Sequence, residues 1–296
     1  MLPLSCAVSS VVERFVDIEE ARSPILLPRT NMNDPIKIEP DFNIPLNVVY
    51  EDKDIIVLNK QSGISVHPSI NEPLGTIANA LIAKYPEIKN VGEDPIRPGI
   101  VHRLDKDTSG LLVIARNQKT FEFLKKEWHP PASTSEASRA GEGKVVKKYL
   151  ALVWGSPKKE RGEIVSELTR SPKDFRKRVV IKPGKKTLAG KLAVTEYKVI
   201  KKFSARGGSA FGGKNYSLLE VYPKTGRTHQ IRIHMASLGH QVVGDKIYGK
   251  KRQMPEGLAR QFLHAYYLSF SLFDKKLAFE ADLPDDLKKV LTKLEK

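Results

Sequence analysis

Apolar residues fall along this chain in short blocks separated by turn residues, and the period inside each block predicts its element. Val48, Val49 and Tyr50, then Ile55, Ile56, Val57 and Leu58, are strand-like, with the Asp52, Lys53, Asp54 cluster between them as a hairpin turn. In GTIANALIAK (75–84), Ile77, Ala78, Leu81 and Ile82 sit at helical spacing, and the helix should stop before Pro86. GLLVIA (110–115) predicts a buried strand, and QKTFEFLKKEW (118–128) a short amphipathic helix using Phe121, Leu124 and Trp128. KYLALVWG (148–155) is a strand and VVIKPGKK (179–186) a strand with a turn. LAVTEYKVI (192–200) and YSLLEVYP (216–223) read as a hairpin joined by the glycine-rich SARGGSAFGGKN.

TGRTHQIRIHMASLGH (225–240) begins as a turn and becomes a helix that Thr228 can N-cap and Gly239 can end. FLHAYYLSFSLF (262–273) is a last strand and PDDLKKVLTKLEK (284–296) a C-terminal helix. Strands outnumber helices without alternating regularly with them. The expected class is therefore α+β, with a mixed, largely antiparallel sheet flanked by helices and loops, and not a doubly wound fold.

The pattern also divides the chain. Residues 1–31 are expected to be a disordered or spurious extension, 32–44 a linker, and 45–296 one folded domain interrupted by a flexible proline-, serine- and glycine-rich insert at 129–144. SSVVERFVDIEEARSPILLPRTN resembles the conceptual translation of a transfer-RNA gene, which would make Met32 the start; the alternative is a natural, poorly ordered extension. The coding DNA and an N-terminal mass would separate the two.

With 296 residues, 40% of them hydrophobic, the chain can bury a proper core. Its 50 Lys+Arg against 34 Asp+Glu leave a formal charge of +16, which favours a polyanionic partner. The extension has Glu13, Asp17, Glu19 and Glu20 against Arg14, Arg22 and Arg29, so the positive charge belongs to the remainder. A single cysteine, Cys6, excludes an intrachain disulfide and a cysteine-built metal site, and suits the cytoplasm. No apolar run is long enough to span a membrane.

The densest candidate chemistry is HRLDKDTSG (102–110). Asp105 has Arg103 and Lys106 beside it, and cationic neighbours favour an ionised carboxylate fit to act as a nucleophile. Asp107 has a cheaper explanation as a loop residue bonding nearby amides, Thr108 or Ser109. In the 225–240 helix, Ile231, Met235 and Leu238 make the apolar stripe and Arg232 its edge, from which it can snorkel outward or reach inward to a carboxylate. His102, His229, His234, His240 and His264 show no HxH or HExxH spacing, so metal catalysis has little support, and without GxxxxGK[ST] or GxGxxG neither does a nucleotide cofactor.

Five blocks carry a resemblance, in this order: VVYEDKDIIVLNKQSGISVHP, RPGIVHRLDKDTSGLLVIARN, KKYLALVWG, PKTGRTHQIRIHMASLGHQVVGDKIYG and FLHAYYLSF. Together they resemble the RluA-type pseudouridine synthases, which act on large-subunit ribosomal and transfer RNA, over residues 45 to about 285. The resemblance implies the pseudouridine synthase fold around a basic cleft. It also implies a uridine isomerase that needs no cofactor or metal: the N1–C1′ bond is cut, the base turns in the pocket, and it rejoins through C5. By the same resemblance Asp105 is the catalytic aspartate, acting by attack on C1′ or by removal of the C2′ proton. Arg232 pairs with it, Tyr149 stacks on the base, Arg103 fills the place the uridine leaves, and Ile231 lines the uracil pocket. Lys60, His67 and Lys106 are candidate RNA contacts, each as readily a loop scaffold, whereas His234 and His264 are expected to be structural.

The chain departs from the family pattern at Gln61, where proline is common, and in the 129–144 insert. The 44 residues before the region of resemblance are too few, too rich in proline and not basic enough for an S4-type RNA-binding domain. The expected protein is a cytoplasmic, monomeric RNA enzyme. The rival readings are a non-catalytic RNA-binding or ribosome-assembly factor on the same fold and a metal nuclease using the histidines.

Overall fold

A computed structural model describes residues 37–128, 145–174, 176–181, 190–204, 215–249, 255 and 257–295. The chain divides into Met1–Pro35 and Ile36–Lys296, and every described residue lies in the second unit. The expectations for 1–31, the 129–144 insert and the glycine-rich loop at 207–213 fall outside the described residues.

Ten strands among the described residues form one sheet: β1 (Val48–Glu51), β2 (Ile55–Lys60), β3 (Ser109–Ala115), β4 (Val146–Trp154), β5 (Arg161–Arg170), β6 (Arg178–Val180), β7 (Lys191–Phe203), β8 (Tyr216–Pro223), β9 (Leu263–Leu272) and β10 (Lys275–Glu280). Their order is β1-β2-β3-β9-β4-β8-β7-β5-β6, with β10 also on β9. Every pairing is antiparallel except β3 with β9, where Ser109 faces His264 and Gly110 faces Ala265. The mixed, mostly antiparallel α+β sheet expected from the sequence is the one observed.

That single parallel joint explains the glycine ending HRLDKDTSG. Gly110 has φ +123°, and a Cβ there would stand 2.2 Å from the Ala265 carbonyl oxygen, so only glycine lets the two backbones meet.

The helices are α1 (Ile77–Lys84), α2 (Gln118–Trp128), α3 (Gln230–Ser237) and α4 (Asp285–Glu295). α1 opens with a reciprocal cap: Thr76 Oγ1 accepts from the Asn79 amide, and Asn79 Oδ1 accepts from the Thr76 amide. Alternation along β4 sends Ala151 and Val153 towards α3, while Leu152 and Trp154 pack on the opposite face with Leu287 and Val290 of α4. β2 and β3, buried almost throughout, share the largest core cluster with α1 and α2.

Several expectations need correction. α3 is not capped by Thr228; its N-cap is His229, in left-handed backbone (φ 58°) and with no side-chain cap bond. Gly239 does follow the helix in left-handed backbone (φ 83°). Nor does α3 have an apolar stripe: all residues from Gln230 to Met235 are buried, polar ones included, whereas Leu238 is 42% exposed. The segment expected as a linker is docked where it is described, with Ile38 in the core, the Asp41 amide donating to Asn79 O and Asn79 Nδ2 donating to Glu39 O. β5 and β10 went unpredicted because β5 buries only Ile164 and Leu168, four residues apart, and β10 has no buried residue to show a period.

Candidate active site

The HRLDKDTSG segment leads into β3 and is pinned by buried apolar residues, Leu104 within it and Val101 just before it, while Arg103 is exposed. A tight turn follows, in which the Thr108 amide donates to Asp105 O. This backbone is held from several sides. Lys60 Nζ donates to the carbonyls of Gln61, Ile64 and Lys106 at 2.7, 2.8 and 2.9 Å. Arg260, ion-paired with Asp286 of α4, donates to Asp107 O, and Gln261 donates to Thr108 Oγ1.

The result is a cleft of about 280 Å³, lined among others by Asp105, Arg232, Tyr149, Ile231, Arg103 and His67. Six of the eight side chains singled out from the sequence therefore converge. Arg232 is 4% exposed, and its Nη1 donates to Asp105 Oδ2 at 3.0 Å from 127 residues away. Tyr149 shares the β4 face of Ala151 and Val153, which brings it to the α3 side of the sheet. Burial, with the Asp105 charge adding to it, pushes the Tyr149 phenol above its usual range, so it stays a neutral hydroxyl.

Two of the eight go elsewhere. Lys60 is 2% exposed and donates to the carbonyls of Gln61 and Ile64 beside it and of Lys106 in the HRLDKDTSG segment, so it ties these two loops together. Burial pulls its amine down to about 7, against the charges of Asp105 and Asp107. Lys106 points away from the cleft lining to Glu72, at 2.6 Å. Thr108 and Ser109 are bonded to Gln261 and His264, and not to Asp107 as the loop reading supposed.

The sequence reading passed over Asp245, the residue that fixes Arg232. Its side chain is fully buried, its Oδ2 and Oδ1 accept from Arg232 Nε and Nη2 at 2.7 and 2.9 Å, and Oδ1 also accepts the amides of Ile247 and Tyr248. Burial opposes the Asp245 charge, but Arg232 and the two amides outweigh it and hold the carboxyl below its usual range. Burial likewise opposes the Arg232 charge, and the two carboxylates overcome it and raise the guanidinium above its ordinary value. A carboxylate three residues before a tyrosine in GDKIYG was the available signal.

Gln230 and Tyr248 complete the frame. Gln230 donates to Val194 O and Thr195 Oγ1 and accepts from Thr225 Oγ1 and the Arg227 amide, locking the loop before α3. Tyr248 accepts the Arg178 amide, meets His229 Nδ1 at 3.0 Å, and lies with its ring 5.4 Å from the Arg232 guanidinium. Lys147 also lines the cleft, its amine lowered by burial to about 8.

The histidines are engaged in structural bonds. His234 lies between Ser166 and Thr195, His264 between Ser109 and the Ala281 carbonyl, and His102 accepts the Val113 amide and stacks on Trp128. Among the described residues, no helix is long and apolar enough to cross a membrane.

The arrangement is a carboxylate held by a buried guanidinium in a cleft that Tyr149 also lines. Comparison with known proteins leads to the same chemistry. The model of the RNA pseudouridylate synthase family matches residues 54–237. An uncharacterised RNA pseudouridine synthase of Aquifex aeolicus is 38% identical over 270 residues, covering 88% of this chain and 77% of that one. The ribosomal large subunit pseudouridine synthase D of Zymomonas mobilis is 35% identical over 272 residues, covering 89% and 75%. In fold alone, the chain is similar to the human RNA pseudouridylate synthase domain containing 4, with a TM-score of 0.59, 22% identity and coverage of 84% and 93%. The human domain containing 1 gives a TM-score of 0.56, 24% identity and coverage of 88% and 97%. Family match, relatives and site geometry agree, and the chain belongs to the RNA pseudouridylate synthase family, enzymes that convert uridine in RNA to pseudouridine.

Proposed function

We propose that this protein isomerises a uridine of large-subunit ribosomal RNA, with Asp105 as the catalytic carboxylate, acting as a cytoplasmic monomer. Transfer RNA is the second substrate class to test. The carrying observation is the 3.0 Å bond from buried Arg232 to Asp105 at a cleft that Tyr149 and Ile231 also line. The similarity to the ribosomal large subunit pseudouridine synthase D of Zymomonas mobilis supports the ribosomal substrate.

In this reading RNA binds through the charge around the cleft mouth, where Arg97, Arg103 and Arg227 line the opening. The target nucleotide leaves its stack and enters the cleft, and Arg103 occupies the space it vacates. Tyr149 stacks on the uracil and Ile231 closes the apolar side of its pocket. Arg232 holds Asp105 aimed at the ribose, where the carboxylate attacks C1′ or takes the C2′ proton. The N1–C1′ bond breaks with its electron pair going to the base, which turns; C5 then bonds to C1′ as the carboxylate leaves it, or as the C2′ proton returns, and C5 gives up its proton while N1 takes one up. Binding of RNA without turnover would be the behaviour of an assembly factor.

The deciding experiment uses unmodified large-subunit ribosomal RNA transcribed with C5-tritiated uridine. The expected outcome is tritium release by wild type, none by Asp105→Asn or Asp105→Ala, and RNA affinities within about tenfold of each other, since phosphate contacts supply most of the binding. Equal RNA binding with no release from either protein would make the chain a binder, and a far larger loss of affinity in the variants would make Asp105 structural.

A further inference from the structure

We infer that His67 is a positioning residue whose neutral, Nδ1-protonated ring holds Arg103 at the cleft mouth before RNA arrives and releases it when the ring is protonated. The inference rests on the reading of the cleft as the uridine site. His67 Nδ1 lies 2.9 Å from the Pro68 carbonyl oxygen, an acceptor with no proton of its own, so Nδ1 carries the hydrogen. A neutral imidazole has one N–H, which leaves a lone pair on Nε2. That atom lies 2.9 Å from Arg103 Nη1, which can only donate. One carbonyl thus selects the tautomer, and the tautomer makes the ring an acceptor for Arg103.

Protonation removes the acceptor. The ring then has two N–H donors and a positive charge, and it faces Arg103 and, nearby, Arg97; Asp94, the acidic group near the ring, is itself paired with Arg97 at 3.2 Å. Burial lowers the His67 pKa below its ordinary value; the Pro68 carbonyl and Asp94 oppose this, and the charges of Arg103 and Arg97 assist it. The ring is therefore neutral at pH 7 and becomes cationic as the pH falls.

Arg103 contrasts with Arg232, which is buried and tied by three side-chain bonds. Arg103 is exposed, stands two residues before Asp105, and has His67 as its hydrogen-bond partner among the described residues. One such bond fixes a long side chain in one direction yet is readily exchanged for a phosphate or a base edge. Without it, Arg103 would meet the RNA from many rotamers, and productive entry of the uridine would become rarer.

Two variants separate the two ends of the ring. Glutamine places an amide near the Nε2 position and can still accept from Arg103, whereas asparagine reaches only the Nδ1 position and keeps at most the Pro68 end. On the unmodified large-subunit ribosomal RNA transcript, His67→Asn should lower kcat/KM about fivefold to tenfold, mostly through KM, and His67→Gln should restore most of that loss. Fluorescence of 2-aminopurine placed beside the target uridine should show slower unstacking in His67→Asn. As the pH falls below the ordinary histidine value of about 6.5, the unstacking rate should drop in wild type and stay flat in His67→Gln.

In the free full-length enzyme, 15N spectra of histidine-labelled protein should show neutral His67 protonated on Nδ1, and Arg103→Ala should raise its titration midpoint. A ring protonated on Nε2, a midpoint indifferent to Arg103→Ala, or equal behaviour of the Asn and Gln variants would overturn the inference. Failure of wild type to modify the transcript would sink the uridine-site reading alone, because the tautomer and the Arg103→Ala shift are read without RNA.

Discussion

Asp245→Asn tests whether orientation of Asp105, the carboxylate proposed to be catalytic, depends on a residue behind Arg232. The replacement keeps the shape of the side chain but turns one oxygen into a donor. Asp245 Oδ1 accepts three bonds, from Arg232 Nη2 and the amides of Ile247 and Tyr248, so the amide oxygen will take that place. The new NH2 then faces Arg232 Nε, donor against donor, where a 2.7 Å charge-assisted bond stood. Arg232 remains buried, with Asp105 as its one remaining carboxylate.

Losing a charge-assisted bond costs about 1.5–3 kcal/mol, and breaking one side of a buried pair about 3–5 kcal/mol. We take about 3 kcal/mol, since the oxygen bonds survive. At roughly 2–4 °C per kcal/mol for a domain of this size, Tm should fall by about 6–12 °C. The guanidinium will turn away from the repelling NH2, and a shift of about 1 Å at Asp105 costs on the order of a hundredfold in rate. Calorimetry gives the first number and single-turnover pseudouridine formation the second, with KM little changed because neither side chain binds RNA. The sign with pH is also fixed: the depressed Asp245 carboxyl contributes stability above the ordinary carboxylate pKa and loses it on acidification, and the variant should lack that loss. A Tm within 2 °C of wild type together with a rate within about threefold would refute the reasoning.

Gly110→Ala should leave little folded protein, because its Cβ meets the Ala265 carbonyl in a backbone region closed to alanine; a folded variant with near-native Tm in thermal melts would contradict the description of the β3–β9 joint. His234, lowered by burial to about 4, is neutral in the fold, while the unfolded chain takes up a proton near pH 6.5. Stability should therefore fall as the pH drops from about 6.5 towards 4, by at most about 1.4 kcal/mol per pH unit, and urea melts of His234→Gln should lose that slope. Lys147, with its amine near 8, should give up its charge between pH 7 and 9, weakening RNA retention by a few-fold in filter binding; an equal decline in Lys147→Arg would remove Lys147 as the cause.

How much of this was legible in the sequence depends on what each residue answers to. β2, β3 and β4 were visible because sheet neighbours and helices bury them on both sides, so their apolar runs are continuous. β5 was not: its exposed Val165 and its buried pair four residues apart give neither period cleanly. Asp105 was legible from its block, and Arg232 from a resemblance that names its partner, but the helical pattern misled about why Arg232 is buried. An amphipathic reading put it at the edge of an apolar stripe, whereas the whole run from Gln230 to Met235 is buried and its polar residues each find a partner: Gln230 in β7, His234 between two hydroxyls, Arg232 between two carboxylates.

The left-handed His229 was beyond the sequence for a related reason. No side chain caps α3, and the entry is set by Gln230 holding the preceding loop and by the Tyr248 hydroxyl against the His229 ring, both tertiary contacts. Burying a charged residue on a helix without a matching carboxylate would cost far more than packing gains, so the position of Arg232 requires Asp245 as much as Asp105 does. In the proposed reaction Asp105 stays open to the cleft and free to react, so a second carboxylate, closed off from solvent, has to carry the structural share of the pairing. That division of labour follows from electrostatics once burial is known, and burial is what a helical period fails to report where six successive residues are sunk.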